Sequence, residues 1–267
     1  MVPVTRLASA LFAILATTSA SATTIFPVGS TEQLVEAIQQ ANQTPEADII
    51  TLERALYVLE EAEGGVHQSA LPPITSPIVI RGNGAELRRY AKEDFRLMHV
   101  TESGHLKLER VVLAEGSIGA IRNHGTAELF GVVLVDSTAR GASAIVENFG
   151  EMTLRSCEVS FNTVAGASRD AGTIVNWGRL SLNETTFQGN QLSRRHEGVA
   201  LASTVLNYGT AEIDDVIIAE NQVGDPIQIG APQAPLVNLG NGRLELRQVR
   251  ERDNLPQHAL VVNPTGP

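Results

Sequence analysis

Apolar residues in the second half of the chain recur in short alternating runs, each at a fixed phase to a repeated turn. The turn is Asn-x-Gly, found at Asn123-His124-Gly125, Asn148-Phe149-Gly150, Asn176-Trp177-Gly178, Asn207-Tyr208-Gly209 and Asn238-Leu239-Gly240. An earlier copy starts at Gly104. After each glycine the alternating positions hold Leu106 and Leu108, Ala127 and Leu129, Met152 and Leu154, Leu180 and Leu182, then Ala211 and Ile213. A sixth copy slips by two residues through Asn241-Gly242 and gives Leu244 and Leu246. Period-two alternation marks strands with one buried face. Three residues further on comes a column of Val111, Val132, Cys157, Thr185, Val216 and Val249. Beyond it lies a polar column of Gly116, Ser137, Asn162, Asn190, Asn221 and Asn254. A third apolar stretch precedes each turn, as in Ile145-Val146, Ile174-Val175, Val205-Leu206 and Leu236-Val237.

Each repeat therefore predicts about three short strands and two or three turns. One such coil cannot bury its own apolar side, whereas stacked coils can. The expected fold is all-β, a right-handed parallel β-helix. In it the asparagines form coil-to-coil amide ladders, and Asn and Gly supply left-handed turn geometry. An antiparallel sandwich would need hairpin signals, and the sequence has one turn motif at constant phase instead.

The ends of such a solenoid need caps. Ser30-Thr31-Glu32-Gln33 reads as a capping box, followed at helical spacing by Leu34, Ala37, Ile38 and Ala41, so a lid helix is expected over 31–42. Strands are expected at Thr24 to Val28, 48–52, 57–59 and 78–80, with a turn at Gly82-Asn83-Gly84. Asn263-Pro264-Thr265-Gly266 reads as an altered last turn, with no helical cap after it. Residues 1–22 read as an export leader: Arg6, an apolar run over Leu7 to Ala16, then Ala20-Ser21-Ala22. The expected organisation is leader 1–22, cap and first coils 23–103, and regular repeats 104–267, with 23–267 one domain. No later segment is long and apolar enough to span a bilayer, so a secreted or periplasmic monomer is expected.

Composition narrows the partners. Aromatics are 4% of the 267 residues, so branched aliphatics and alanine fill the core. A formal net charge of -10 argues against nucleic acid and anionic membranes. It makes an anionic polymer a ligand only where a local basic patch or a metal intervenes. The single Cys157 reads as a small buried apolar residue.

The order Ala41-Asn42, Ala47-Asp48-Ile49-Ile50, Leu71-Pro72-Pro73-Ile74 and Ile80-Arg81-Gly82-Asn83-Gly84-Ala85 resembles secreted bacterial right-handed parallel β-helix repeat proteins of the pectin-lyase-like superfamily. Gly119-Ala120-Ile121 and Phe187-Gln188-Gly189-Asn190 resemble the repeats of polymorphic outer-membrane-protein passengers. The resemblance covers the whole mature chain. It implies the fold, and it admits polysaccharide lyases, hydrolases and adhesins alike.

Three groups of residues are candidates for chemistry. Asp214 and Asp215, with Glu184 one coil below Asp215, are the acidic residues suited to paired-carboxylate work on a glycoside. No basic residue stands at a recognisable spacing to them. Loops expected at 163–171, 191–202 and 222–234 carry Arg194, Arg195 and His196, a basic spot suited to an anionic ligand. The middle positions of the turn, His124, Phe149, Trp177, Tyr208 and Leu239, fall in one column. There Phe149, Trp177 and Tyr208 could stack on sugar rings or on one another. The leading expectation is a non-enzymatic, adhesin-like binding module for an extracellular polysaccharide or cell-surface glycan. The alternative is a polysaccharide lyase or glycoside hydrolase, the one case in which calcium is expected. No other cofactor and no metal site is read from the sequence.

Overall fold

The computed structural model of the chain describes residues 23–63, 68–140, 144–167, 170–194, 200–224, 233–255 and 260–262. Outside them lie the expected leader 1–22, Arg195, His196 and Asn263 to Gly266. The side chain of Arg194 is likewise outside the description.

The chain is an all-β parallel solenoid of about seven turns with one helix near its N-terminus. Every strand pair is parallel, as the single turn motif requires. One coil runs Glu151–Arg155, Glu158–Ser160, Thr163–Ala167 and Ala171–Asn176. The first two strands belong to one bent sheet, and the third and fourth to a second and a third sheet. The start of each expected loop is therefore strand: Thr163–Ala167, Gln191–Arg194 and Gln222–Val223 stack on Thr138–Arg140.

The predicted columns stand in register. Leu106, Ala127, Met152, Leu180, Ala211 and Leu244 lie one above another, as do Leu108, Leu129, Leu154, Leu182, Ile213 and Leu246. The two-residue slip at Asn241-Gly242 is thus real. Both polar columns are ladders. Asn123, Asn148 and Asn176 each donate Nδ2 to the next Oδ1 at 2.7–2.8 Å, and Asn207 continues to Asn238 at 2.7 Å. Asn162, Asn190, Asn221 and Asn254 repeat the pattern at 2.9–3.1 Å on another edge. Cys157 is buried, its Sγ 3.4 Å from the Leu129 carbonyl oxygen.

One expectation is corrected. Gly125, Gly150, Gly178 and Gly209 are not left-handed; their role is close approach. A Cβ on any of them would lie 2.0–2.3 Å from the carbonyl oxygen of the glycine one coil below. The left-handed positions are elsewhere, in two columns of mostly ordinary residues with φ of 48–65°. They are Arg110, Gly131, Ser156, Glu184, Asp215 and Gln248, then Glu115, Asp136, Phe161, Gly189, Glu220 and Asp253. The first column bends the first sheet, and the second sets up the second Asn ladder.

The helix Thr31–Ala41 lies over the first coil and buries Leu34, Ala37, Ile38 and Ala41. Ser30 Oγ accepts from the Gln33 amide at 3.3 Å, as the capping box predicts. The reciprocal bond shifts by one residue, with Gln33 Oε1 accepting from Gly29 N. Gly82-Asn83-Gly84 is a bend inside one strand, Pro77–Arg89, with both Asn83 and Gly84 at positive φ. Among the described residues, no helix is long and apolar enough to cross a membrane.

The third sheet has apolar residues on both faces. Ile174, Val205 and Leu236 point into the solenoid, while Val175, Leu206 and Val237 join a second buried cluster with Ala144, Ala200, Ala202 and Ala234. That explains why this stretch reads as an apolar pair and not as an alternation.

Candidate functional site

The columns on the outside of the first sheet follow from the same register. One runs Glu109, Phe130, Arg155, Asn183, Asp214 and Arg247. Its neighbour runs Lys107, Glu128, Thr153, Ser181, Glu212 and Glu245. Over the earlier coils the ionisable groups of this face pair with one another. Lys107 pairs with Glu109 at 2.8 Å, and His105 with Glu128 at 3.1 Å. Over the later coils they do not.

There the sheet carries a shallow groove of about 280 Å³, lined by Thr153, Arg155, Ser181, Asn183, Glu212, Asp214, Glu245 and Arg247. Among the described residues, Glu245 alone of its charged groups is paired, 3.6 Å from Arg243. Among the described residues, Arg155 and Arg247 meet no ion-pair or side-chain hydrogen-bond partner, and both are charged at any ordinary pH. They stand three strand spacings apart, roughly 14 Å along the axis. Asp214 Oδ1 is enclosed in the wall without a donor. An enclosed carboxylate oxygen left so costs about 1–3 kcal/mol. Just before Arg155 in the column, Phe130 is 45% exposed and, among the described residues, stacks on no other ring. Guanidinium groups, hydroxyl and carboxylate acceptors and one free ring face thus share a single line.

The expected acidic pair does not form. Glu184 and Asp215 occupy successive places in a left-handed column. Glu184 Oε2 accepts from Ser156 Oγ at 2.7 Å, and Asp215 is held by Arg250. Only Asp214 of the three reaches the groove. Glu212, Glu245, Arg155, Arg247 and Phe130 were not expected there. Their signal was present as the outward positions between inward residues already in phase. Among the described residues, no group of three or more His, Cys, Asp or Glu side chains could hold a metal ion.

The aromatic column exists, but its rings are occupied. His124, Phe149, Trp177 and Tyr208 lie parallel within 5°, their centroids 4.7, 4.5 and 5.9 Å apart. Phe149 and Trp177 each have a ring on both faces, and the next position beyond Tyr208 is Leu239. A sugar ring stacks on a face, so this row is a structural spine. Tyr208 anchors it, its hydroxyl donating to Asp170 Oδ2 at 2.7 Å while Asp170 Oδ1 accepts from Ala200 N. Burial, and then Asp170, push the Tyr208 phenol well above its ordinary 10.0. A phenol whose pKa is higher folded than unfolded supports folding fully below pH 10 and less as pH rises past it. Tyr208→Phe is expected to lower stability by about 2 kcal/mol at neutral pH. It should also flatten the alkaline decline, both read from urea unfolding across pH.

The fold and the groove place the chain in the class of parallel β-solenoids with a polar surface groove on one sheet. No protein-family model and no curated protein matches it. Among solved structures it is similar to an alginate lyase from Paenibacillus sp. str. FPU-7, at 13% identity and a TM-score of 0.36. That likeness covers 91% of this chain and 99% of the other.

Proposed function

We propose that this chain is an exported glycan-binding β-solenoid that holds an extended acidic polysaccharide along the groove of its first sheet. The observation that supports this most is the run of groups unpaired among the described residues, from Phe130 through Arg155 and Asp214 to Arg247, on a face whose earlier coils are internally paired. Two guanidinium groups take carboxylates or sulfates of the polymer by paired hydrogen bonds. Asp214, Glu212 and Asn183 take its hydroxyls, and Phe130 takes a ring face. The overall acidity excludes indiscriminate binding of polyanions, so recognition depends on this local basic pair. Export through residues 1–22 brings the protein to such polymers.

A second reading is favoured by one feature, the acids Glu212 and Asp214 between two arginines. Arginine can neutralise a uronate while a carboxylate moves a proton, chemistry that cleavage of an acidic polysaccharide could draw on. Titration calorimetry against acidic and neutral oligosaccharides, with a parallel assay for chain cleavage, separates the two. Phe130→Ala, Arg155→Ala and Arg247→Ala are each expected to weaken binding of the acidic ligand about tenfold, near 1.4 kcal/mol. Trp177→Ala should leave it unchanged. Cleavage by the native chain that Asp214→Asn abolishes without loss of affinity would establish the enzyme. Equal affinity in all three groove variants would remove the groove from the account.

A further inference from the structure

The two-residue slip in the last Asn-x-Gly turn gives Asn241 a place that no earlier coil has. Strand Arg243–Arg252 stands on Thr210–Ala219 with Arg243 beside Thr210. Gly242, not Gly240, therefore continues the column of Gly125, Gly150, Gly178 and Gly209. A Cβ on Gly242 would lie 2.9 Å from the Asn207 carbonyl oxygen and 2.5 Å from Asn238 Oδ1. Close stacking thus requires glycine at 242 as it does in the coils below. In those coils the residue before the stacked glycine is His124, Phe149, Trp177 or Tyr208. In the last one it is Asn241, which is exposed, and among the described residues no hydrogen bond holds its side chain. The fold has set a free asparagine directly before a glycine it cannot do without.

The sequence has a second Asn-Gly pair, Asn83-Gly84, built in the opposite way. It lies inside the strand Pro77–Arg89. Asn83 Nδ2 donates to the Leu52 carbonyl at 3.0 Å, and its Oδ1 accepts from Arg110 Nη2 at 3.3 Å. The ladder asparagines are held too, their amides buried in bonds between coils. An asparagine amide reacts with its own backbone when the side chain can turn onto the next nitrogen and no side chain on that residue obstructs it. Asn241-Gly242 meets both conditions, and Asn83-Gly84 meets the second alone. The Gly242 N–H donates to the Leu239 carbonyl at 3.1 Å, near the long end of the ordinary range.

We propose that Asn241 is a modification site, where the asparagine deamidates through a cyclic imide formed with Gly242. Hydroxide takes the proton of the Gly242 amide, and the nitrogen attacks Asn241 Cγ. A C–N bond closes the ring, the Cγ–Nδ2 bond breaks, and the leaving nitrogen takes up a proton and departs as ammonia. Water then opens the imide at either carbonyl. One opening gives aspartate. The other gives iso-aspartate, whose main chain runs through the former side chain. In sum an amide and water become a carboxylic acid and ammonia, with nothing oxidised or reduced. The iso-aspartyl link lengthens the main chain just before Gly242, where there is no slack. The Gly242 carbonyl accepts from Asn238 Nδ2 at 2.8 Å, and Arg243 N donates to the Gly209 carbonyl at 2.8 Å. The reaction therefore loosens the start of strand Arg243–Arg252.

The test holds the full chain in mildly alkaline buffer, folded and in urea, and follows the two Asn-Gly peptides by mass spectrometry that separates aspartate from iso-aspartate. In the folded chain Asn241 is expected to convert at least about tenfold faster than Asn83. In urea, where both pairs are released, the two rates should converge. Equal rates in the folded chain, or conversion of Asn241 in urea alone, overturns the proposal. So does conversion at position 241 in Asn241→Gln, whose longer side chain cannot close the same ring. Amide exchange at Arg243 should quicken in the modified chain and stay slow in Asn241→Asp, which gains the charge without the longer main chain. Equal quickening in Asn241→Asp would overturn the assignment of the loosening to the iso-aspartyl link.

Discussion

Replacing Gly178 by alanine is expected to destabilise the fold by about 3 kcal/mol, at the upper end for overpacking. The added Cβ would sit 2.0 Å from the Gly150 carbonyl oxygen and 2.7 Å from that of Phe149. Both are backbone atoms, so no rotamer change relieves the contact. The two coils must separate at the point where Asn148 bonds Asn176 and Phe149 stacks on Trp177. Gly166→Ala is the informative comparison. It has φ of +61° and nothing within 4 Å of its Cβ, so it carries only the backbone penalty of about 1 kcal/mol. Urea unfolding followed through the fluorescence of Trp177, the chain's single tryptophan, measures both. A Gly178→Ala midpoint at or above that of Gly166→Ala would show that close stacking of the turns is not what selects glycine.

The same contrast explains what the sequence reveals about the fold. Inward columns and Asn ladders are legible because a stacked coil repeats its demands: an aliphatic residue fills the same space each time, and an amide bonds its own kind above and below. The left-handed corners are hidden. Arg110, Ser156, Glu184, Asp215 and Gln248 all adopt φ near +50°, yet share no side-chain chemistry. Parallel pairing on either side imposes the conformation, and each residue bears a strain of order 1 kcal/mol. Strand Thr163–Ala167 read as loop because only Val164 and Ala167 of its five residues are buried, too few for an alternation to stand out.

The groove was less legible for a related reason. Outward positions vary freely where solvent is the only neighbour, so no repeat marks them. Asp214 was singled out for lying beside Asp215, although the left-handed corner sends those two carboxylates to different surroundings. What identifies the groove is a failure of pairing: among the described residues, Arg155 and Arg247 lack the acids that Lys107 and His105 possess. That contrast needs the register of several coils at once. The aromatic row shows the converse. Its column could be read from sequence, but its chemistry could not, because parallel stacking that consumes the ring faces is a property of the coil spacing.

Removing the carboxylate of Glu147 is expected to have the largest effect of any single substitution considered, a loss of about 3–5 kcal/mol in Glu147→Ala. Glu147 is 1% exposed, and its Oε2 accepts from Arg122 Nε at 2.8 Å and from Arg96 Nη1 at 3.5 Å. Burial, and then the neighbouring Arg122, pull the Arg96 guanidinium down to about 10, with Glu147 opposing the fall. Without Glu147 two guanidinium groups would share a dry site and repel. The position lies in the outward column of the third sheet, which changes character along the axis. His99, Arg122 and Glu147 are followed by Val175, Leu206 and Val237. The aliphatic part shows that the site does not need charge to be filled. The triple substitution Arg96→Met, Arg122→Leu, Glu147→Val should therefore recover most of the stability that Glu147→Ala loses. Denaturant unfolding of the single, paired and triple variants measures the coupling. A triple variant no more stable than Glu147→Ala would mean that these coils require the ionic cluster itself, and that the aliphatic column is no guide to what they can accept.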